Sequence, residues 1–201
     1  MSSALSTTTI AAIATPPGRG AVGIVRVSGA SAGDIATSLL GRIPTARHAH
    51  VCDFRTQSGE VVDRGIALYF PAPNSYTGEN VLELQAHGGA AVLRVLLEEV
   101  CALGAEHARP GEFTERAFLN GKLDLLQAEA VGALIDASSA QAARAAARAC
   151  SGAFSRAVHD VSSRLREAHA LLEAGIDFGD DVGSGSARAL ALLADAEGAL
   201  D

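Results

Sequence analysis

The stretch Arg109–Ala130, RPGEFTERAFLNGKLDLLQAEA, decides the fold, because the sequence changes character within it. Residues 112–119 predict a short helix, which Asn120-Gly121 breaks before an amphipathic helix opens at Leu123. Ahead of this stretch, patterns typical of strands and helices alternate, whereas almost everything after it has helical periodicity. The sequence therefore predicts an α+β fold in which a domain built on a mixed sheet precedes an all-α domain.

Lys122 follows directly on the predicted break and is the only lysine among 16 basic residues, the others being arginine. Lysine carries a compact ammonium group, whereas arginine carries a planar guanidinium with a fixed fork of donors. The lysine at this position indicates either that a compact cation is required here or that chance placed it here.

The composition is that of a globular chain that does not wrap nucleic acid. With 201 residues, 48% of them apolar, the chain can form one large domain or two small ones with buried cores. Its formal net charge of −7 argues against a surface that binds nucleic acid through many phosphates, because such surfaces are basic. We therefore expect any RNA partner to be bound by a local part of this chain's surface or by another chain.

Cysteine usage indicates a reducing compartment, and the N-terminus indicates a soluble protein that stays where it is made. Cys52, Cys101 and Cys150 are far apart and form no CxxC pair, so the sequence predicts neither a disulfide framework nor a zinc site. The start, MSSALSTTT, has no basic region, and nowhere does the chain have the run of about 18 apolar residues that a membrane helix needs. We therefore expect a cytoplasmic protein without a membrane span.

Two charged residues stand within apolar strands of the first part. Arg26 is costly inside a strand unless it is paired or turned outward, so it is either an outward-facing residue or a binder of anions or carbonyls. Glu83 shares a strand face with Val81 and Gln85 beside a glycine-containing loop, and is either a solvated residue or a carboxylate held for a ligand.

The periodicity predicts strands at residues 8–14, 21–28, 51–55, 64–70 and 81–85, and helices at residues 32–40 and 89–103.

Two glycine motifs resemble enzyme signatures without the context that those signatures need. GRGAVG at 18–23 fits the dinucleotide pattern, but a proline pair precedes it and a strand follows it, whereas a dinucleotide site needs a strand before and a helix after. GASAG at 29–33 fits a nucleophile elbow, but HGG at 87–89 comes in the wrong order for that fold. We interpret Ser31 as the N-cap of the following helix, with Asp34 completing a capping box.

The second part of the chain is predicted to be almost wholly helical. One helix is expected at residues 123–137, and a long one at residues 139–174 carries a heptad seam of mostly small residues, with Gly152 as its candidate interruption. Residues 183–186 have the composition of a flexible link, and a final helix is expected from Ala187. The apolar faces of these helices need further partners, so we expect an incomplete helical bundle.

Several long and specific segments of the sequence are those of one protein family. They are ATPPGRGAVGIVRVSG at 14–29, PNSYTGENVLELQAHGG at 73–89, RPGEFTERAFLNGKLDLLQAEAV at 109–131, LIDASS at 134–139 and IDF at 176–178. Through these segments the chain closely resembles the MnmE family, also called TrmE, of tRNA modification GTPases. The sequence departs from the family after IDF, where GDDVGSGS replaces a more acidic run.

The resemblance implies two domains. Residues 1–120 correspond to the α/β domain that binds folate and forms the dimer, and residues 121–201 to the first part of the helical domain. Full-length members insert a G domain into the helical domain, complete the helices and end in a functionally important cysteine, which none of the three cysteines here matches. The sequence has no G-x-x-x-x-G-K-[ST], so we expect the family's GTP, magnesium and potassium sites to lie outside it and the chain alone not to hydrolyse GTP.

The family's ligands for a one-carbon tetrahydrofolate, either 5-formyl- or 5,10-methylenetetrahydrofolate, fall by this resemblance on Arg26, Glu83 and Lys122. A reduced pterin has an edge with two N–H donors, which a carboxylate can accept, so we assign Glu83 to that edge as a hypothesis. The anionic glutamyl tail needs a cation, and the sequence leaves open whether Arg26 or Lys122 meets it.

The resemblance also implies the reaction and partners of the complete protein. It is a homodimer that works with MnmG, a flavin- and NADH-using partner also called GidA, to attach a carboxymethylaminomethyl-type group at C5 of the wobble uridine of tRNA. Folate supplies the one-carbon unit and potassium-dependent GTP hydrolysis drives the conformational cycle, so this chain is expected to bind rather than to break bonds. The alternatives are a structural helical dimerisation scaffold without a working folate site and a free-standing folate-dependent transferase related in fold to aminomethyltransferases.

Overall fold

The computed structural model describes residues 8–178 and 183–198, and its backbone contacts divide the chain into two compact units, Met1–Leu123 and Asp124–Asp201. The first unit contains a six-stranded sheet in the order β3-β4-β5-β2-β1-β6. The strands are β1 (Ile10–Ile13), β2 (Gly20–Ser28), β3 (His50–Arg55), β4 (Val61–Phe70), β5 (Val81–Gly88) and β6 (Glu106–His107). Because β1 pairs with β6 in parallel and the other neighbours are antiparallel, the sheet is mixed and the predicted α+β fold is confirmed.

Three helices accompany the sheet, and two of them cover one of its faces. They are α1 (Ala32–Leu40), α2 (Ala90–Ala102) and α3 (Glu112–Leu119). Ile35 of α1 and Leu96 of α2 join alternate strand residues such as Leu82 in one buried cluster. Each such side chain contributes about 1.5–3 kcal/mol through burial. Because side chains alternate along a strand, the residues between them, including Arg26 and Glu83, belong to the opposite face.

Helix α3 and the turn after it have the bounds that the deciding stretch predicts. The helix starts after Gly111, whose φ is +76°, and ends at Leu119 before a turn in which Gly121 has a φ of +67°. Only glycine adopts such values at little cost. The turn returns the chain so that the Lys122 N–H donates to the Ala117 carbonyl at 2.8 Å.

The second unit is helical throughout its described residues outside short connections, and two of its predictions are corrected. Its helices are α4 (Leu125–Ile135), α5 (Ala140–Cys150), α6 (Ala153–Phe178) and α7 (Gly183–Gly198). The expected long helix is two helices, because Gly152 has a φ of +73° and ends α5, which confirms Gly152 as the interruption. Residues 183–186, expected to be a link, form the first turn of α7, because the packing of α7 on α6 outweighs the weak helix propensity of glycine and serine.

Two predicted helix starts also differ from the structure. Ser31 precedes α1, but its side chain makes no capping hydrogen bond, because its φ of −81° and ψ of 1° lie outside the extended region that a cap requires. Helix α4 begins at Leu125 and not at Leu123, because Asp124 forms a reciprocal capping box with Gln127. Among the described residues, no helix is long and apolar enough to cross a membrane.

Candidate functional site

Arg26 of β2 and Glu83 of β5 form an ion pair on the sheet face that α1 and α2 leave open. The antiparallel register places the two residues directly opposite each other. Arg26 Nε donates to Glu83 Oε1 at 2.8 Å, and Arg26 Nη2 lies 2.7 Å from the same oxygen. The side chains are 28% and 15% exposed. Because both contacts go to Oε1, and no partner for Oε2 is found within residues 8–178 and 183–198, one carboxylate oxygen keeps its acceptor capacity.

Two aromatic rings flank the Arg26 guanidinium. The Arg26 Cζ atom lies 5.6 Å from the centroid of the Tyr76 ring and 5.7 Å from that of Phe113, distances at which a cation is attracted to a ring face. Tyr76 belongs to the loop of residues 71–80 between β4 and β5, and Phe113 belongs to α3. The Tyr76 hydroxyl lies 2.9 Å from Thr114 Oγ1, so the loop and α3 meet beside Arg26.

The turn after α3 holds the same loop from another side. Lys122 Nζ donates to the Pro73 carbonyl at 3.1 Å, and Asn120 Nδ2 donates to the Thr77 carbonyl at 2.7 Å. Gly78 of the loop has a φ of +79°, and a Cβ added there would lie 3.3 Å from Lys122 Cγ. The contact is close enough that only a glycine fits without displacement.

The structure therefore brings two of the three predicted site residues together and places the third, in the turn after α3, against the loop of residues 71–80. Arg26 and Glu83 touch each other, whereas Lys122 contacts Pro73, three residues before the ring of Tyr76. In the described part of the chain, no hydrogen bond or ion pair joins Lys122 to either member of the pair. Lys122 is exposed, and two of the three donors of its ammonium group have no protein partner there.

A buried ionic network lies behind this loop. The Arg116 side chain of α3 is almost fully buried, with 5% of the residue exposed. It donates to Glu112 Oε1 at 3.0 Å, to Glu79 Oε1 at 3.1 Å and to the Thr8 carbonyl at 2.8 Å. Burial alone would raise the pKa of Glu112, but hydrogen bonds from the Arg109 N–H and from Arg116, with the charges of both arginines, hold that pKa below its ordinary value.

A separate groove of about 760 Å³ lies within the second unit and is not part of the ion-pair site. Its lining includes Gln127 of α4 and Arg156, His159 and Arg166 of α6. In the described residues, no group of three or more His, Cys, Asp or Glu side chains is placed to hold a metal ion.

The sequence interpretation missed the aromatic rings and the buried arginine. Arg116 follows Glu112 by four residues, a spacing that places the two on one helix face and could have indicated their pairing. Tyr76 and Phe113 carried no such signal, because each reaches Arg26 only through tertiary folding.

Comparisons with known proteins match both parts of the chain. A family model described as the N-terminus of the GTP-binding protein TrmE matches residues 9–122, and one described as the MnmE helical domain matches residues 125–199. Proteins named tRNA modification GTPase MnmE are 59% identical over 173 residues in Stutzerimonas stutzeri, 56% over 173 in Nitrosomonas eutropha and 58% over 176 in Pseudomonas paraeruginosa. These matches cover 86–88% of this chain but only 38–39% of each relative, so the chain spans about two fifths of their length.

Proposed function

The chain belongs to the MnmE family of tRNA modification GTPases, and from this premise we propose that it is the folate-binding and dimer-forming part of such an enzyme. Residues 1–120, together with Lys122 directly after them, supply the folate site; residues 1–120 also supply the dimer contact, and residues 121–201 begin the helical domain. The observation that carries the proposal is the Arg26–Glu83 pair, with an open acceptor oxygen and two neighbouring rings.

Glu83 Oε2 recognises the N–H edge of the reduced pterin. One ring N–H and the amino group on that edge donate, and a charged acceptor makes a stronger hydrogen bond than a neutral one. Since Oε1 already accepts a hydrogen bond from Arg26, Oε2 is the main acceptor for the two N–H groups of this edge. The rings of Tyr76 and Phe113 offer apolar faces of the kind on which a planar heterocycle packs.

A cation near the site binds the glutamyl tail of folate, and this cation is Arg26 or Lys122. Arg26 is neutralised by Glu83, whereas the Lys122 ammonium contacts only an uncharged carbonyl among the described residues. This difference favours Lys122 as the residue that meets the tail. The bound 5-formyl- or 5,10-methylenetetrahydrofolate would supply the one-carbon unit of the modification.

A second copy of the chain covers the open face of the sheet. Ile66, Leu68 and Phe70 of β4 lie on this face opposite residues of β5, among them Glu83, and all three are only half-buried. Apolar side chains beside a neutral ion pair suit a self-complementary contact between identical faces. Folate binding and dimerisation would then be linked, because both use this face.

The complete protein acts with MnmG on tRNA in the cytoplasm and adds a carboxymethylaminomethyl-type group at C5 of the wobble uridine. GTP hydrolysis, with its magnesium and potassium ions, takes place in parts of the relatives that lie outside this chain. The support for this assignment is the family membership and the shared name of the relatives.

Calorimetric titration of the purified chain with 5-formyltetrahydrofolate tests the proposal. We expect saturable binding that is lost in Lys122→Ala and retained in Arg94→Ala, which removes an exposed cation from α2 on the helix-covered side of the sheet. Circular dichroism confirms that each variant is folded. A folded, dimeric chain that binds no folate would contradict the proposal and favour the alternative of a structural dimerisation scaffold.

A further inference from the structure

Arg116 connects three segments that are distant in sequence. Its guanidinium reaches Glu112 within α3, Glu79 in the loop of residues 71–80 and the carbonyl of Thr8 just before β1. The partners Glu79 and Thr8 are 37 and 108 residues away along the chain. A charge this deeply buried requires partners of opposite charge, so the positions of the three segments depend on one another.

The network extends to the strand that carries Arg26. Glu79 Oε2 accepts a hydrogen bond from Ser28 Oγ at 2.7 Å, and Ser28 Oγ lies 2.7 Å from Thr77 Oγ1. Ser28 ends β2, two residues after Arg26, and Thr77 is fully buried. Arg116 is thus linked through Glu79 to the end of β2, the strand that carries Arg26.

Each aromatic ring beside Arg26 is a sequence neighbour of a member of this network. Phe113 follows Glu112, which binds Arg116, and Tyr76 precedes Thr77, which contacts Ser28. Adjacent residues share a peptide plane, so fixing one limits where the other can lie. We propose that Arg116 is a positioning residue, which through Glu79 and Glu112 holds Tyr76 and Phe113 beside the Arg26 guanidinium.

Stability alone does not account for this arrangement. A buried ion network is often no more stabilising than apolar residues of the same volume, because both charges lose their hydration. The Nε atom of Arg116 has no hydrogen-bond partner in the described residues, so the network also leaves a buried donor unsatisfied. Its benefit is geometric, since one rigid guanidinium fixes the loop relative to α3.

The test compares Arg116→Lys and Glu79→Gln with Glu115→Gln, a matched change on the exposed side of α3. The first readout is the Nε–H resonance of Arg26 in arginine-labelled, ligand-free chain, assigned with Arg26→Lys. Ring currents from Tyr76 and Phe113 shift this resonance in the wild type. We expect it to move towards the position of a free arginine in both network variants and to stay in place in Glu115→Gln.

The second readout is affinity for 5-formyltetrahydrofolate, and here the inference rests on the proposed function. We expect binding to weaken about tenfold or more in both network variants, since loosening the supporting residues misplaces those that touch the ligand. If Arg116→Lys does not fold, the more conservative Glu79→Gln decides. An unchanged Arg26 resonance in a folded variant would overturn the positioning role, whereas a shifted resonance in a protein whose wild type binds no folate would overturn only the proposed function.

Discussion

Replacing Glu83 with glutamine removes the negative charge beside Arg26 and turns one of the two carboxylate oxygens of the proposed folate site into an amide nitrogen. The glutamine side chain has nearly the same size, and its amide oxygen can still accept the hydrogen bond of Arg26 Nε. Its amide nitrogen then takes the place of Oε2. A ligand N–H that met an acceptor in the wild type would meet another donor in the variant.

The size of the effect follows from the type of hydrogen bond that is lost. A hydrogen bond to a charged group contributes about 1.5–3 kcal/mol. At about 1.4 kcal/mol for each factor of ten, the dissociation constant should rise about 10- to 150-fold. Since the Arg26–Glu83 pair is only partly buried, the free energy of unfolding should fall by no more than about 1 kcal/mol, so that the variant remains folded.

The assay is calorimetric titration with 5-formyltetrahydrofolate at one fixed ionic strength. Glu98→Gln is the matched control, because Glu98 is an exposed residue of α2 on the other side of the sheet. We expect the control to bind like the wild type. Binding by Glu83→Gln within about threefold of the wild type, less than about 0.7 kcal/mol, would refute the assignment of Glu83 to the pterin edge.

Three further substitutions test other parts of the two units. Gly78→Ala should lower the free energy of unfolding by about 1–2 kcal/mol, because a side chain at φ +79° is strained and crowds Lys122; an unchanged melting temperature would contradict this. Asp63 has a pKa below its ordinary value, since hydrogen bonds from the His87 N–H and ring outweigh the opposing effect of burial. The stability that ionised Asp63 contributes is therefore complete above its unfolded-state pKa and is lost as the pH falls through its folded-state pKa. In chemical denaturation, Asp63→Asn should therefore lose less free energy of unfolding than the wild type between about pH 5 and pH 2. An equal loss in the variant and the wild type would argue against this role of Asp63. Asp124→Ala removes the cap of α4 and should cost about 0.5–2 kcal/mol of stability, which a denaturation curve indistinguishable from the wild type would disprove.

The local structure of the first unit was readable from the sequence because it depends on short-range patterns. Helix α3 has the predicted bounds, since a turn precedes it and Asn120-Gly121 ends it. Strands β2 and β5 follow the alternation of apolar residues that marks a half-buried strand. The resemblance to the MnmE family, carried by whole motifs, is confirmed by the two family models.

The arrangement of the site was not readable, because it depends on pairing across long separations. Arg26 and Glu83 are 57 residues apart, and their contact requires one particular register of β2 against β5. The sequence suggested that each of the two residues binds a ligand, but not that Arg26 would occupy a carboxylate oxygen of Glu83. For Ser31 a local prediction was wrong. Serine is a residue type that favours helix capping, but the backbone conformation of Ser31 does not allow its side chain to cap α1.

The contrast between the two cations of the site has a consequence for ionic strength. Arg26 and Glu83 together form a dipole whose field fades over a short distance, whereas Lys122, which has no ion-pair partner among the described residues, adds a full positive charge at the surface. Dissolved salt screens such a charge over about 10 Å at 0.1 M. In the proposed folate site, recognition of the pterin edge should therefore be insensitive to salt, whereas attraction of the anionic glutamyl tail should strengthen in dilute buffer and with each added carboxylate.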